Sequence, residues 1–244
     1  MLDNYFWVVV FLSLVGPIVG SFLGVFRRPS EQFMNLMLAF AAGVMLSVAF
    51  LQLIPESVLL GGVWFCLVGI LGGLFFMFVL DKGVPHVHPG LCSSEHGSKL
   101  NKTAMYLFLG IFLHHFPEGM AMGVGLVGSF GASITVALAI ALHDIPEGIC
   151  TSAPYYYLSG KRLKAFLLSS LTALPTLFGF LLTYFLYGLI PLDLVGLLVA
   201  GTAGLMIYIS ADELIPFSCS VNSDHRSIFS FFAGVLIVTL LAYY

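Results

Sequence analysis

Two short stretches of this chain carry the residue types that could do chemistry. They are His114-His115-Phe116-Pro117-Glu118-Gly119 and His143-Asp144-Ile145-Pro146-Glu147-Gly148, 29 residues apart. On a helix, residues four or three apart share a face. His114 with Glu118 and His143 with Glu147 are four apart; His115 with Glu118 and Asp144 with Glu147 are three apart. Two such faces together offer imidazole nitrogen and carboxylate oxygen in numbers sufficient for four or more ligands. That donor mixture suits Zn²⁺ and other first-row divalent ions; Ca²⁺ and Mg²⁺ prefer shells of oxygen alone. Both stretches sit inside long apolar segments, where a charged group at the bilayer centre costs ~2.5–3.5 kcal/mol. A divalent cation would also relieve the crowding of several carboxylates. The blander account is a polar cluster that glues two helices together.

The elements that must position these residues are membrane spans. The chain is 59% hydrophobic and only 9% charged, against roughly 25% charged in a soluble domain. It is therefore all-α and polytopic. At about 20 apolar residues per span, eight candidates emerge: 5–26, 33–55, 62–80, 104–126, 132–157, 163–190, 193–216 and 227–244. The basic residues test that count. Arg27 and Arg28, then Lys82, Lys99 and Lys102, then Lys161, Arg162 and Lys164, then Arg226 all fall in odd-numbered connections. The positive-inside rule puts those connections in the cytoplasm and both termini outside. Asp3 precedes the first apolar run without a basic stretch, so that run is expected to be an uncleaved span. The whole of 1–244 is expected to be one transporter-like membrane domain in the cell membrane. Its one long connection, about 83–103, contains His86, His88 and His96. No soluble domain is left to hold an enzyme or a nucleic-acid reader. Four scattered cysteines without a CxxC pair make neither a disulfide framework nor a zinc knuckle.

The spans explain where the repeated motif lies. At 1.5 Å per residue, His114 is ~15 Å into span four from the cytoplasm and His143 is ~16 Å into span five from outside. Both reach the midplane of a ~30 Å core, on antiparallel neighbours. Pro117 and Pro146 cannot donate to the carbonyls of Leu113 and Leu142, which should be freed. Gly119 and Gly148 would allow close helix approach.

These residues closely resemble the ZIP (Zrt/Irt-like) family of divalent metal transporters, in its bacterial GufA/ZupT-like branch. The paired motifs on the fourth and fifth of eight spans carry the likeness, with Gln52-Leu53-Ile54-Pro55-Glu56 and Asp212-Glu213-Leu214-Ile215-Pro216 beside them. The resemblance implies a principal site of His114, Glu118, His143 and Glu147, with His115 and Asp144 in an adjacent second site that shares the glutamates. It also implies one bundle of helices sliding or rocking against the other. Two departures stand out. His115 takes the place of an Asn common in the family, and Leu174, before Pro175, takes that of a glutamate many bacterial members carry on span six. The bridging carboxylate is then missing.

The expected function is import of a divalent metal, Zn²⁺ first, with Fe²⁺, Mn²⁺, Co²⁺ and Cd²⁺ open. The metal is the cargo, and no cofactor is required. The partners are divalent cations and the lipid bilayer; nucleic acid is not among them, and a homodimer stays open. Gln52 and Glu56 could lie on the way in, and Asp212 and Glu213 on the way out or at an interfacial helix end. His86, His88 and His96 could hold emerging metal or be incidental histidines of a solvated loop. Ser47 and Ser152 could line a pathway or sit at helix interfaces. Two other classes compete. One is an intramembrane zinc hydrolase, which the spacing disfavours because HExxH places the Glu beside the first His. The other is a metal-binding sensor without flux, against which the missing output domain counts.

Overall fold

The structure, a computed structural model, describes residues 4–26, 30–83, 115–116, 118–123, 130–186, 189, 191–219 and 225–243. His86, His88, His96, His114, Leu113 and Pro117 lie outside the described residues. Among those described the chain is helical, without strands. A backbone in hydrocarbon must satisfy its own amides and carbonyls, which helices do within one segment. The helices are α1 (Asn4–Phe26), α2 (Glu31–Val48), α3 (Ile54–Gly83), α4 (helical residues 115–116 and 118–123), α5 (Phe130–Ser159), α6 (Arg162–Ser170), α7 (Ala173–Leu186), α8 (Leu192–Ile209), α9 (Ile215–Cys219) and α10 (His225–Tyr243).

Six helical runs among the described residues are long and apolar enough to cross a membrane. One of them, Gln32–Val79, covers 48 residues, ~72 Å of helix. It breaks at Gly62, whose φ of 78° an L side chain would resist. The connection expected at Glu56–Gly61 is therefore helical, and the turn is concentrated at one glycine.

Proline shapes three spans differently. Before Pro55 and before Pro216 the helix widens into single π turns, Ala49–Leu53 and Ser210–Leu214, closed by Ile54 N–H to the Ala49 carbonyl and Ile215 N–H to the Ser210 carbonyl. A proline cannot donate to its usual carbonyl and crowds it, and the wider turn accommodates both effects. Span six, expected to be continuous, is interrupted at Leu171–Thr172 ahead of Pro175, where Leu174 N–H bonds back to Leu171. Pro146 by contrast lies within an uninterrupted α5.

The helices pack in two groups. α1 lies along α5, with α6 and α7 against it; α3 lies along α8, and α2 along α10. α4 joins the first group, since Gly119 backs onto the Thr176 carbonyl and Gly179 onto that of Phe116. Within each group glycines bring backbones into contact. Gly16, Gly20 and Gly24, one turn apart on α1, face Ala141, Ile145 and Ile149 of α5; Gly69 and Gly73 of α3 face Leu197 and Gly201 of α8. A methyl group at these sites would meet backbone atoms. The groups meet chiefly where α2 packs on α5. There, Ala41, Ala42 and Met45 of α2, with Ala49 of the π turn that follows it, share a buried cluster with Val136, Ala137 and Ile140 of α5.

Candidate metal centre

α4 and α5 bring five motif side chains to one place. His115, Glu118, His143, Asp144 and Glu147 are at most 4% exposed. Helical spacing puts His115 over Glu118 on α4, and Asp144 and His143 beside Glu147 on α5. Around them the backbone of α1 lies against α5 and that of α7 against α4. His143 Nε2 lies 3.2 Å from Glu118 Oε1 and 3.3 Å from Asp144 Oδ1. His115 Nε2 lies 3.4 Å from the same Asp144 oxygen, 3.2 Å from Glu147 Oε2 and 3.9 Å from Glu118 Oε2. Asp144 thus stands between the two imidazoles; His115, Asp144, His143 and Glu118 close a ring, and Glu147 joins it through His115.

A backbone contact orients one ring of this set. His143 Nδ1 is 3.3 Å from the Ala139 carbonyl, one turn earlier on α5. A carbonyl only accepts, so Nδ1 carries the hydrogen and Nε2 of the neutral ring presents a lone pair. That lone pair faces carboxylate oxygens at 3.2 and 3.3 Å. Acceptor against acceptor is stable only with a cation between them, either a proton shared by nitrogen and carboxyl oxygen or a metal ion.

The spacing suits the second case as well as the first. Zinc binds His and carboxylate at ~2.0–2.2 Å, so the edges of a tetrahedron of such ligands measure about 3.3–3.6 Å. The nitrogen–oxygen separations above are within a few tenths of an ångström of that. One donor atom each from His115, Glu118 and Asp144 falls within a 4.8 Å span. A divalent ion would need only small side-chain shifts to be held, and would neutralise buried carboxylates as it bound.

The other residues singled out by the sequence divide. Leu174 is 51% exposed and faces away from the buried cluster, while Ala173 and Thr176 are its buried neighbours on α7. Gln52 lies in the first π turn, and neither end of its buried amide has a hydrogen-bond partner among the described residues. Glu56 is half-buried in the first turn of α3, and Asp212 is exposed in the second π turn, where Glu213 also stands. Ser47 and Ser152 bond the carbonyls of Gly43 and Gly148 within their own helices. Met45, Met122 and Met206 are fully buried core residues, and Cys66 and Cys150 are free thiols.

Sequence reasoning missed a hydroxyl cluster one turn beyond Glu147. Ser21 of α1 donates to Ser169 Oγ of α6 at 2.7 Å, and Ser169 lies 2.5 Å from Thr151 Oγ1 of α5. Ser169 also reaches the Gly148 carbonyl at 3.2 Å. The one local signal was Thr151, four residues after Glu147; its partners are 148 residues apart in sequence.

An all-helical membrane protein with a buried ring of imidazoles and carboxylates belongs to the class that handles metal ions inside the bilayer. The family model described as ZIP Zinc transporter matches residues 88–242. The chain is similar to the zinc transporter ZupT of Enterobacter sp. (strain 638), 30% identical over 245 residues, covering 96% of this chain and 94% of that protein. The zinc transporter ZupT of Escherichia coli (strain SMS-3-5 / SECEC) is 30% identical over 243 residues, 95% of this chain and 93% of its own. This chain belongs to the ZIP zinc transporter family. It is a multi-pass protein of the cell membrane, and a transporter where the hydrolase reading would have made it an enzyme.

Proposed function

We propose that this protein imports divalent metal ions into the cytoplasm, Zn²⁺ foremost, through the cluster formed by His115, Glu118, His143, Asp144 and Glu147, with His114 as a further ligand. The observation that carries this is the convergence of three carboxylates and two imidazoles, all buried, on two neighbouring helices. Their N/O donor set suits Zn²⁺ and its first-row neighbours. The similarity to proteins named zinc transporters supports Zn²⁺ among these ions.

The path runs through eight spans with both termini outside. The break at Gly62 supports two crossings where the hydropathy is continuous, and the basic residues support the orientation. Gln52 and Glu56 lie on the route in, and Asp212 and Glu213 on the route out. His86, His88 and His96 receive the ion in the cytoplasm. Alternating access comes from the α1, α4, α5, α6 and α7 group moving against the α2, α3, α8 and α10 group. The described glycine contacts that join helices all fall within a group, and the seam between groups is lined by Ala, Val, Met and Ile. A seam without interlocked backbones resists sliding least.

Uptake of radioactive Zn²⁺ into proteoliposomes tests this reading. The wild type should fill the vesicles, and Glu118→Ala combined with Glu147→Ala should reduce uptake to that of empty vesicles. Uptake by the double variant at the wild-type rate would remove the ring from the path. Metal binding with no flux in either protein would favour the sensor.

A further inference from the structure

The turn between α5 and α6 gathers three cations at the head of an apolar groove. Gly160, at φ 65°, turns the chain, and Lys161, Arg162 and Lys164 follow on the surface. The groove beside them is shallow and open, lined on one side by Leu163, Leu167 and Leu171. These leucines are 70%, 52% and 44% exposed. Spaced four apart, they form one stripe ~12 Å long on the helix. Two of the cations are held from behind by tyrosines. Arg162 lies over the Tyr156 ring at 5.4 Å and donates to its hydroxyl at 3.4 Å, and Lys164 lies 6.0 Å from the Tyr155 ring.

Among the described residues their charge is not balanced locally. The sequence from Gly148 to Leu192 contains no Asp or Glu. The described helices packed on α6 are α1 and α5. α1 has no acidic residue, and the last carboxylate of α5, Glu147, is 14 residues before Lys161, ~20 Å of helix away. Among the described residues no ion pair involves any of the three cations.

We propose that this groove is a binding site for one anionic phospholipid. The phosphate of the headgroup is held by Lys161, Arg162 and Lys164, and an acyl chain lies along Leu163, Leu167 and Leu171. Cations at the head of a span attract anionic headgroups, and a row of leucines running into the hydrocarbon suits the chain attached to one. The ~12 Å stripe matches most of one leaflet of a ~30 Å core. Neither half of the site suits a free anion as well, since a soluble phosphate leaves the leucines uncovered. α6 packs on α1 and α5, so the lipid is held by the same helix group that carries Asp144 and Glu147.

Native mass spectrometry of the full-length protein released from nanodiscs tests this. With mixed phosphatidylglycerol and phosphatidylcholine, one phosphatidylglycerol should be retained per chain. The triple variant Lys161→Gln, Arg162→Gln, Lys164→Gln should retain it at least roughly tenfold less. The charge-matched control Arg27→Gln, Arg28→Gln, Lys82→Gln should retain it fully. Lys161→Arg with Lys164→Arg should also keep it, and Leu163→Ser with Leu167→Ser should lose it although every cation remains. Equal loss in both charge-removal triples, equal retention of phosphatidylcholine, or binding of glycerol phosphate as tight as that of the lipid would each overturn the proposal.

Discussion

At the scale of single residues, Asp144 is the most exacting position. One of its oxygens lies within 3.4 Å of both His115 and His143. Replacing the carboxylate with an amide of the same shape removes a charge and aims at most one lone-pair oxygen at the ring. Asp144→Asn should weaken Zn²⁺ binding to purified protein by at least roughly tenfold, the usual scale for disturbing groups around a metal. Isothermal titration would read it, and unchanged affinity would place Asp144 outside the ligand set. The proton account follows from His143. A proton on Nε2 and a metal ion satisfy the same carboxylates, so they exclude one another. Zn²⁺ binding should release protons and weaken as the pH falls. Titration in two buffers of different ionisation enthalpy counts those protons, and a count of zero would contradict the shared position.

At the scale of elements, contacts between helices are made by glycine and hydroxyl groups, because in lipid apolar surface alone gives helices little reason to associate. Gly73 of α3 backs onto the carbonyl of Gly201 in α8. Gly73→Val should force these helices apart and lower the thermal unfolding midpoint by several degrees in detergent, and no change would show that the pair is looser than drawn. Ser169 joins α6 to both α1 and α5 through Ser21 and Thr151. Ser169→Ala should cost about 0.5–1.5 kcal/mol in a denaturation series, the range for such bonds in membranes. The π turns before Pro55 and Pro216 are the other element-level feature. The motif Leu-Ile-Pro occurs in both spans, but its consequence, a widened turn instead of a kink, depends on what the freed carbonyls meet in the packed bundle.

At the scale of the whole molecule, the two helix groups set the expected movement. Thr135 of α5 bonds the Leu241 carbonyl of α10 at 3.2 Å across the groups, whereas Ser230 of α10 bonds that of Leu36 in α2 at 2.7 Å within one. In a background without native cysteines, Thr135→Cys with Leu241→Cys should stop Zn²⁺ uptake when cross-linked and recover on reduction. Leu36→Cys with Ser230→Cys should transport in either state. Uptake that survives the first cross-link would mean that the groups do not separate during transport.

Much of this was written locally. The doubled His/Glu motif and the helical class depend on spacing within one segment and on the cost of charge in hydrocarbon, which the sequence alone determines. Helix ends and breaks were less legible. Glu56–Gly61 continued as helix, with the positive φ taken at Gly62, and span six broke before Pro175 while Pro146 broke nothing. Which face of α7 looks inward was hidden too, so Leu174, expected beside the site, turns outward. Only the tertiary structure decided that His115 and Asp144 close a ring with His143 and Glu118, with Glu147 held on His115. That is a matter of how two helices are rotated about their axes, and the rotation is set by glycine contacts with α1 and α7, far away in the chain.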